Sequence, residues 1–259
     1  MAIVVEQLRF GYGPVEVIRG ASFTVPAGQV TCLLGRNGSG KTTLIRLVNG
    51  ILRAQSGTIT IDGCDARTSP RQMLARWLAF VPQEHQSVFA YGVRELVVMG
   101  RNPYMGLFAR PKDSDYDVAA QAMEMVGIAH LAERSYMEIS GGERQLVLIA
   151  RALAQETPYL LMDEPTSHLD FSNQHGILSI VRRISRERGV GVLMAMHDPN
   201  LALAYADQVI MLEAGQVYRE GPVDQVMTGE HLEHLYGIPI KVVGLATGQQ
   251  IILTEAGHA

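Results

Sequence analysis

Val30-Thr31-Cys32-Leu33-Leu34-Gly35-Arg36-Asn37-Gly38-Ser39-Gly40-Lys41-Thr42 decides the architecture of this chain. Val30 to Leu34 reads as a buried strand, and a helical pattern runs from about Lys41 to a stop at Gly50. The loop between them fills every fixed position of G-x-x-x-x-G-K-[ST], and strand–loop–helix is the context that pattern requires. Glycine takes positive φ and has no side chain to block approach. Backbone N–H groups from Gly35 through Asn37, Gly38, Ser39 and Gly40 to Thr43 can therefore close around phosphate oxygens. Lys41 is expected to reach the β- and γ-phosphates, and Thr42 to place its hydroxyl on Mg²⁺. The helix start points its positive end at the same anion. An ordinary glycine-rich turn is the competing reading, but it does not require all the fixed positions to be filled. By itself the loop says only that a nucleoside triphosphate binds.

Outward from the loop, short apolar or alternating runs at Ile3–Val5, Val15–Ile18, Ala21–Val25 and Thr58–Ile61 predict strands. Gly11, Gly13, Pro14, Pro26, Gly28 and Asp62-Gly63 separate them. Leu78–Val81, Tyr159–Met162, Val192–Met196 and Gln208–Leu212 predict further strands, with helical patterns between the last three. That alternation argues for a mostly parallel sheet with helices on its faces. Between about Ser87 and Pro158 the pattern is helical instead. Ser114-Asp115-Tyr116-Asp117 has the layout of a capping box, Val118, Ala122, Met125 and Val126 share one face, and Gly127 fits a stop. The expectation is one α/β domain over 1–259, with a nucleotide-binding core in 1–86 and 159–259. A helical subdomain, 87–158, is inserted in it. Two short strands around Thr247-Gly248 and a frayed end are predicted for the last stretch.

Composition fits a globular chain: 259 residues, 47% hydrophobic, 19% charged. A net charge of −4 argues against a broad nucleic-acid surface. No apolar run approaches the roughly 20 residues that span a bilayer. Met1 to Phe10 lacks a secretory layout, so a cytosolic protein, or one on the cytosolic side of a membrane, is expected. Cys32 reads as a core residue and Cys64 as the residue after a turn; neither has metal-ligand spacing.

Asp163 and Glu164 end an apolar strand. One carboxylate there can hold Mg²⁺ and the second can polarise an attacking water. Acidic pairs at strand ends are common, but this pair shares a chain with the phosphate loop and continues as Pro165-Thr166-Ser167-His168-Leu169-Asp170. Between the loop and the carboxylates stands Ser140-Gly141-Gly142-Glu143-Arg144-Gln145. Ser140 and Glu143 form a capping box for a helix from Gln145 to Ala154. Capping does not account for two consecutive glycines, which weaken a helix start and suit close approach by an anion.

The phosphate loop, the Ser-Gly-Gly element and the Asp163-Glu164 strand end, in this order, resemble the ATP-hydrolysing subunit of an ABC transporter over nearly the whole chain. The resemblance implies a P-loop NTPase core with an N-terminal antiparallel β region and an inserted helical subdomain. It implies Glu164 as catalytic base, Asp163, Thr42 and Gln83 at Mg²⁺, and His197 as a switch near the γ-phosphate. Tyr12, in Phe10-Gly11-Tyr12-Gly13, would stack on adenine; Phe10 reads as a core-facing strand residue. Ser140, Gly141 and Gly142 would serve the ATP held by a second copy in a head-to-tail homodimer, and Ser167 to Asp170 would form the loop that contacts that copy. Taken singly, Gln83 reads as a solvated residue after a strand, and His197 as a satisfied structural histidine. Ile139 and Glu143 stand where the family most often has Leu and Gln, and His168 where it has a small residue or Asn.

Ser87 to Val93, Val98 to Tyr104 and His197-Asp198-Pro199-Asn200-Leu201-Ala202 look like the branch that imports iron–siderophore complexes, cobalamin, haem and, in some members, molybdate. Pro199 replaces the more usual Leu. That branch implies two polytopic membrane permease subunits, an external substrate-binding protein, and a peripheral position on the cytoplasmic face of the cell membrane. Residues near Gln83 and from Ser87 to Tyr104 are the expected permease contact. The alternatives are an exporter ATPase and a non-transport ABC ATPase acting on ribosomes or DNA. A phosphate-loop kinase would leave the Ser-Gly-Gly element unexplained.

Overall fold

The computed structural model describes residues 1–83, 91–106, 109–167, 169–246 and 248–254. Ser87 to Ala90, His168 and Thr247, singled out above, lie outside the described residues. β1 (Ala2–Tyr12) and β2 (Val15–Pro26) form an antiparallel pair. Two short strands were expected where β2 is one. Its partner explains the difference. The register slips between Val5 and Leu8 and again between Leu8 and Arg9, beside the positive-φ residue Gln7, and Gly20 (φ +87°) faces that irregularity. Gly20 therefore marks a bulge in a continuous strand and not a break.

β3 (Val30–Leu34) leads through the phosphate loop into α1 (Lys41–Val48). β4 (Ser56–Ile61) and the two-residue β5 (Cys64–Asp65) complete a four-stranded antiparallel sheet, ordered β2-β1-β4-β5. α2 (Arg71–Trp77) precedes β6 (Leu78–Val81). A helical stretch follows, with α3 (Val93–Val98), α4 (Asp113–Val126) and α5 (Gly141–Ala154). The chain then alternates: β7 (Tyr159–Asp163), α6 (Phe171–Arg188), β8 (Gly191–Ala195), α7 (Pro199–Tyr205) and β9 (Gln208–Glu213). β10 (Gln216–Pro222), α8 (Val223–Val226) and α9 (Gly229–Tyr236) come next. A hairpin of β11 (Ile240–Gly244) and β12 (Gln250–Thr254) closes the described chain.

The second sheet is ordered β10-β9-β3-β8-β7-β6, parallel except for the β10 edge. Parallel strands are buried on both faces, which is why these segments read as unbroken apolar runs. Alternate residues divide between two cores. Cys32, Leu34, Met162 and Met194 join the helical side, while Leu33, Leu161 and Leu193 join α1 and the antiparallel sheet. The P-loop NTPase architecture with its antiparallel N-terminal sheet and helical subdomain is the one the sequence predicts. Cys32 is buried, its thiol pushed well above the usual range by desolvation; Cys64 is exposed and neither is disulfide-bonded.

The cap of α4 differs from expectation. Asp115, not Ser114 or Asp117, is the capping group: its carboxylate accepts from the Lys112 backbone N–H at 3.0 Å. That bond is the first cause of its lowered pKa, ahead of the neighbouring Arg101. Arg101 explains the choice of cap. Its buried guanidinium donates to Asp115 (3.2 Å), to Glu156 (2.6 Å) and to the Ala154 carbonyl (2.8 Å). The same side chain thus joins the start of α4 to the end of α5. Gly127 ends α4 in the left-handed conformation, as expected.

Candidate functional site: a phosphate loop facing two carboxylates

Gly40, directly before α1, has φ +107°, and a Cβ there would stand 2.8 Å from Ile18 Cδ1. Only glycine lets the loop pass so close to β2 and turn into the helix. Lys41 is buried beneath the loop, and its Nζ donates to the Gly35 carbonyl at 2.8 Å. Desolvation lowers its pKa, and the carboxylates of Glu164 and Asp163 act in the opposite direction. The Ser39 hydroxyl is buried without a partner, a polar atom in the loop left for something else to satisfy.

β7 is parallel to its neighbours and delivers its C-terminal carboxylates to the same end of the sheet. Asp163 is buried and accepts from the Thr42 hydroxyl at 2.9 Å. Desolvation raises its pKa; the Thr42 bond, Arg46 and Lys41 oppose the rise and Glu164 adds to it. Glu164 sits at φ +51°, a region a non-glycine residue rarely holds without support. Three contacts give that support. Ser167 Oγ donates to its carbonyl at 2.9 Å, Gln83 Nε2 donates to one carboxylate oxygen at 2.9 Å, and His197 Nε2 meets the other at 2.5 Å. Gln83 follows β6 and His197 follows β8, so three adjacent strand ends converge on one carboxylate.

Eleven of the sequence-predicted residues line one open cavity: Tyr12, Asn37 to Thr43, Gln83, Glu164 and His197. Asp163 touches it through Thr42. Gly35 borders the adjoining space with Arg36, Asn37 and His197. Tyr12 is half exposed, with Phe10 buried edge-on behind it at 4.9 Å, so of the two aromatics Tyr12 faces the opening. Two residues not singled out from sequence line these spaces. Val17 is next to Tyr12 across the hairpin, and strand alternation could have found it. Tyr236, from the end of α9, stands beside His197; no local pattern marks it.

Ser140, Gly141 and Gly142 do not line this cavity. They begin α5, four residues earlier than the predicted start at Gln145. The capping box is formed: Ser140 N–H and Oγ donate to Glu143 at 2.8 and 2.7 Å, and Glu143 N–H points back at Ser140 Oγ at 3.4 Å. These bonds hold the Glu143 carboxyl below its usual range. Gly142 has a packing reason of its own, since a Cβ there would stand 2.8 Å from the Asn173 side chain. Gly141 faces open space. The helix start is thus built, exposed at Ser140 and Gly141, and outside the lining of the cavity at the chain's own loop.

A phosphate-binding strand–loop–helix, two carboxylates at the end of a parallel strand two positions away and a Ser-Gly-Gly helix start define a nucleoside-triphosphate hydrolase of the cassette type. The ABC transporter family matches over residues 18–167, and the chain belongs to that family of transport-coupled ATPases. It is 37% identical to the iron(3+)-hydroxamate import ATP-binding protein of Bacillus subtilis, over 92% of this chain and 88% of that one. It is 40% identical to the hemin import ATP-binding protein of Nocardia farcinica, over 97% and 86%. Among solved structures, a metal-chelate type ABC transporter in an inward-facing conformation superposes with a TM-score of 0.85 at 34% identity, covering 98% of both chains.

Proposed function

We propose that this chain is the ATP-hydrolysing subunit of an importer for a metal chelate such as an iron–siderophore complex, cobalamin or haem. The observation that carries the hydrolysis is Glu164, held between Gln83 and His197 opposite the phosphate loop. The likeness to iron(3+)-hydroxamate and hemin import ATP-binding proteins supports the importer branch. Glu164 accepts a proton from the attacking water while Lys41 and the loop amides take up charge on the phosphate oxygens. Gln83 and His197 keep the carboxylate aimed. Tyr12, with Val17, receives the adenine ring.

Mg²⁺ fits the donor set. Asp163, the Thr42 hydroxyl and the Gln83 amide are oxygen ligands of the kind a hard dication takes, and Asp163 and Thr42 already touch. Bound there, Mg²⁺ would offset negative charge on the phosphate oxygens.

Two copies pair head to tail, so that Ser140, Gly141 and Gly142 of one complete the site of the other. Glu143 releases the Ser140 hydroxyl as phosphate arrives. The subdomain that carries α3, α4 and α5 then moves against the nucleotide-binding core. The pair sits on the cytoplasmic face of the membrane beneath two permease subunits, with a substrate-binding protein outside; no described helix is long and apolar enough to cross a bilayer. A groove of about 630 Å³ between core and helices, lined by Ile51, Leu74, Phe80, Met99 and Asn102 among others, suits the permease contact. Its Met99 and Asn102 come from the stretch expected to make it.

The test is affinity purification of the tagged chain from detergent-solubilised membranes of its own host. Recovery of a polytopic membrane protein, with ATPase activity that responds to it, supports the importer subunit. Recovery of ribosomes or DNA-bound partners and no membrane protein contradicts it.

A further inference from the structure

The segment after β10 has no part in the site as described, yet it touches the site twice. Tyr236 closes α9 with its hydroxyl buried and unpartnered, beside Gly35, Arg36, Asn37 and His197. The second contact lies behind His197. The next residue, Asp198, caps α7, its Oδ1 accepting from Asn200 N–H at 2.8 Å and Leu201 N–H at 3.4 Å. A helix of seven residues is not stable alone and takes its position from what it packs on.

It packs on β3, on α6, where Arg182 donates to the Ala204 carbonyl and His175 meets the Tyr205 hydroxyl, each at 2.8 Å, and on the terminal hairpin, which meets its first turn. Asn200 Oδ1 accepts from Ile252 N–H at 2.8 Å, and Asn200 Nδ2 donates to the Ile252 carbonyl at 3.1 Å. One amide side chain pairs both main-chain groups of a strand residue, as a neighbouring strand would. Ile252 is opposite Val242 in the hairpin, with its side chain buried in the main core beside Ile240. Ile240 is itself tied to α9 through Glu233, whose carboxylate accepts its N–H at 2.9 Å. The path from hairpin to chemistry is short: Ile252, Asn200, then Asp198 at the cap of α7, then His197 on Glu164.

We propose that Asn200 is a positioning residue for hydrolysis: by clipping α7 to the C-terminal hairpin at Ile252, it holds His197 against Glu164. This rests on the reading of His197 and Glu164 given above. Without the clip, α7 keeps its bonds to α6 at the C-terminal end but loses the anchor of its first turn, and His197 leaves the carboxylate for part of the time. Tyr12 and the phosphate loop lie on other elements and keep the nucleotide.

The experiment uses the full chain. Asn200→Ala removes both bonds, and Ile252→Pro removes the N–H that Asn200 accepts. Residues 251 and 253, which face β11, keep theirs. Asn200→Ala, which removes both bonds, is expected to lower kcat about tenfold, and Ile252→Pro, which removes one, by less. Affinity for a fluorescent ATP analogue and KM for ATP stay within about twofold. Because both act through one contact, the double variant falls no further than the worse single one. The proposal is overturned if Asn200→Ala turns over at the wild-type rate, if KM rises in step with the loss of kcat, or if the two losses multiply. Melting temperature and stoichiometry of nucleotide binding count the folded fraction in each preparation, and rates are taken per folded site. His197→Ala separates the layers. If it is inactive while Asn200→Ala is normal, the clip fails and the site reading stands. If His197→Ala itself keeps wild-type turnover, the site reading falls and the proposal with it.

Discussion

The phosphate-loop region and the start of α5 are both rich in glycine and both suited to anions, but they differ in what their polar groups already have. Around the loop, Lys41 bonds the Gly35 carbonyl, Thr42 bonds Asp163, and Gln83 and His197 both bond Glu164, so four segments of the chain are joined. At α5, the Ser140 and Glu143 side chains bond each other, across three residues. The first region is an assembled half-site in which each group waits for a nucleotide. The second is a finished helix cap that also presents N–H groups to solvent. The difference teaches that a helix start with self-satisfied caps becomes a ligand site only when something is brought to it, and a second copy of the chain can bring an ATP.

The largest effect expected tests the assembled half. Glu164→Gln keeps the size and the contacts of residue 164 but removes the basic oxygen, so turnover falls about a thousandfold while ATP binding survives. The variant is expected to accumulate as an ATP-bound dimer, seen as a doubled mass in size exclusion with ATP and Mg²⁺. Wild-type turnover would break the assignment.

Lys41→Ala is expected to cut turnover about a hundredfold or more through lost stabilisation of phosphate charge, with weakened nucleotide binding. Circular dichroism should show the fold intact, because the Nζ bonds only loop carbonyls. Titration with ATP alongside the spectrum checks both halves of the statement.

Asp163→Asn sharpens the contrast by sign. Burial raises the Asp163 pKa in the fold, so the ionised carboxylate costs stability above the unfolded value of about 4 and the cost vanishes below it. Without nucleotide, the variant is expected to melt about 2 °C higher at pH 7 and to match the wild type near pH 3, while losing Mg²⁺-dependent turnover. A lower melting point at pH 7 would contradict the desolvation argument.

Much of the fold was legible because its buried strands are continuous apolar runs: the β3 and β6 bounds match those read from Val30–Leu34 and Leu78–Val81. β2 was misread because Gly20 looks like punctuation until its bulged partner strand is known. The α4 cap was misplaced because the choice of Asp115 depends on Arg101, which is fourteen residues away. Residues of the loop and of Asp163-Glu164 carry their meaning in local order and could be named. Asn200 and Tyr236 could not, since what they touch is set by the docking of the C-terminal segment. Gly142 looked like a glycine kept for an anion, and the structure adds Asn173 as a second reason.

The central claim is that the two regions serve one ATP from different chains, and mixing two dead proteins tests it most directly. Lys41→Ala spoils the loop, and Ser140→Arg places a bulky side chain where phosphate must meet the α5 start. Each homodimer then has two damaged sites. In a mixed dimer one site carries both lesions and the other carries none. ATPase activity restored on mixing, or ATP-dependent dimer closure where the two sites are coupled, is the predicted result. Verified mixed dimers with neither turnover nor closure would contradict it, because that is the outcome if Lys41 and Ser140 act within one chain.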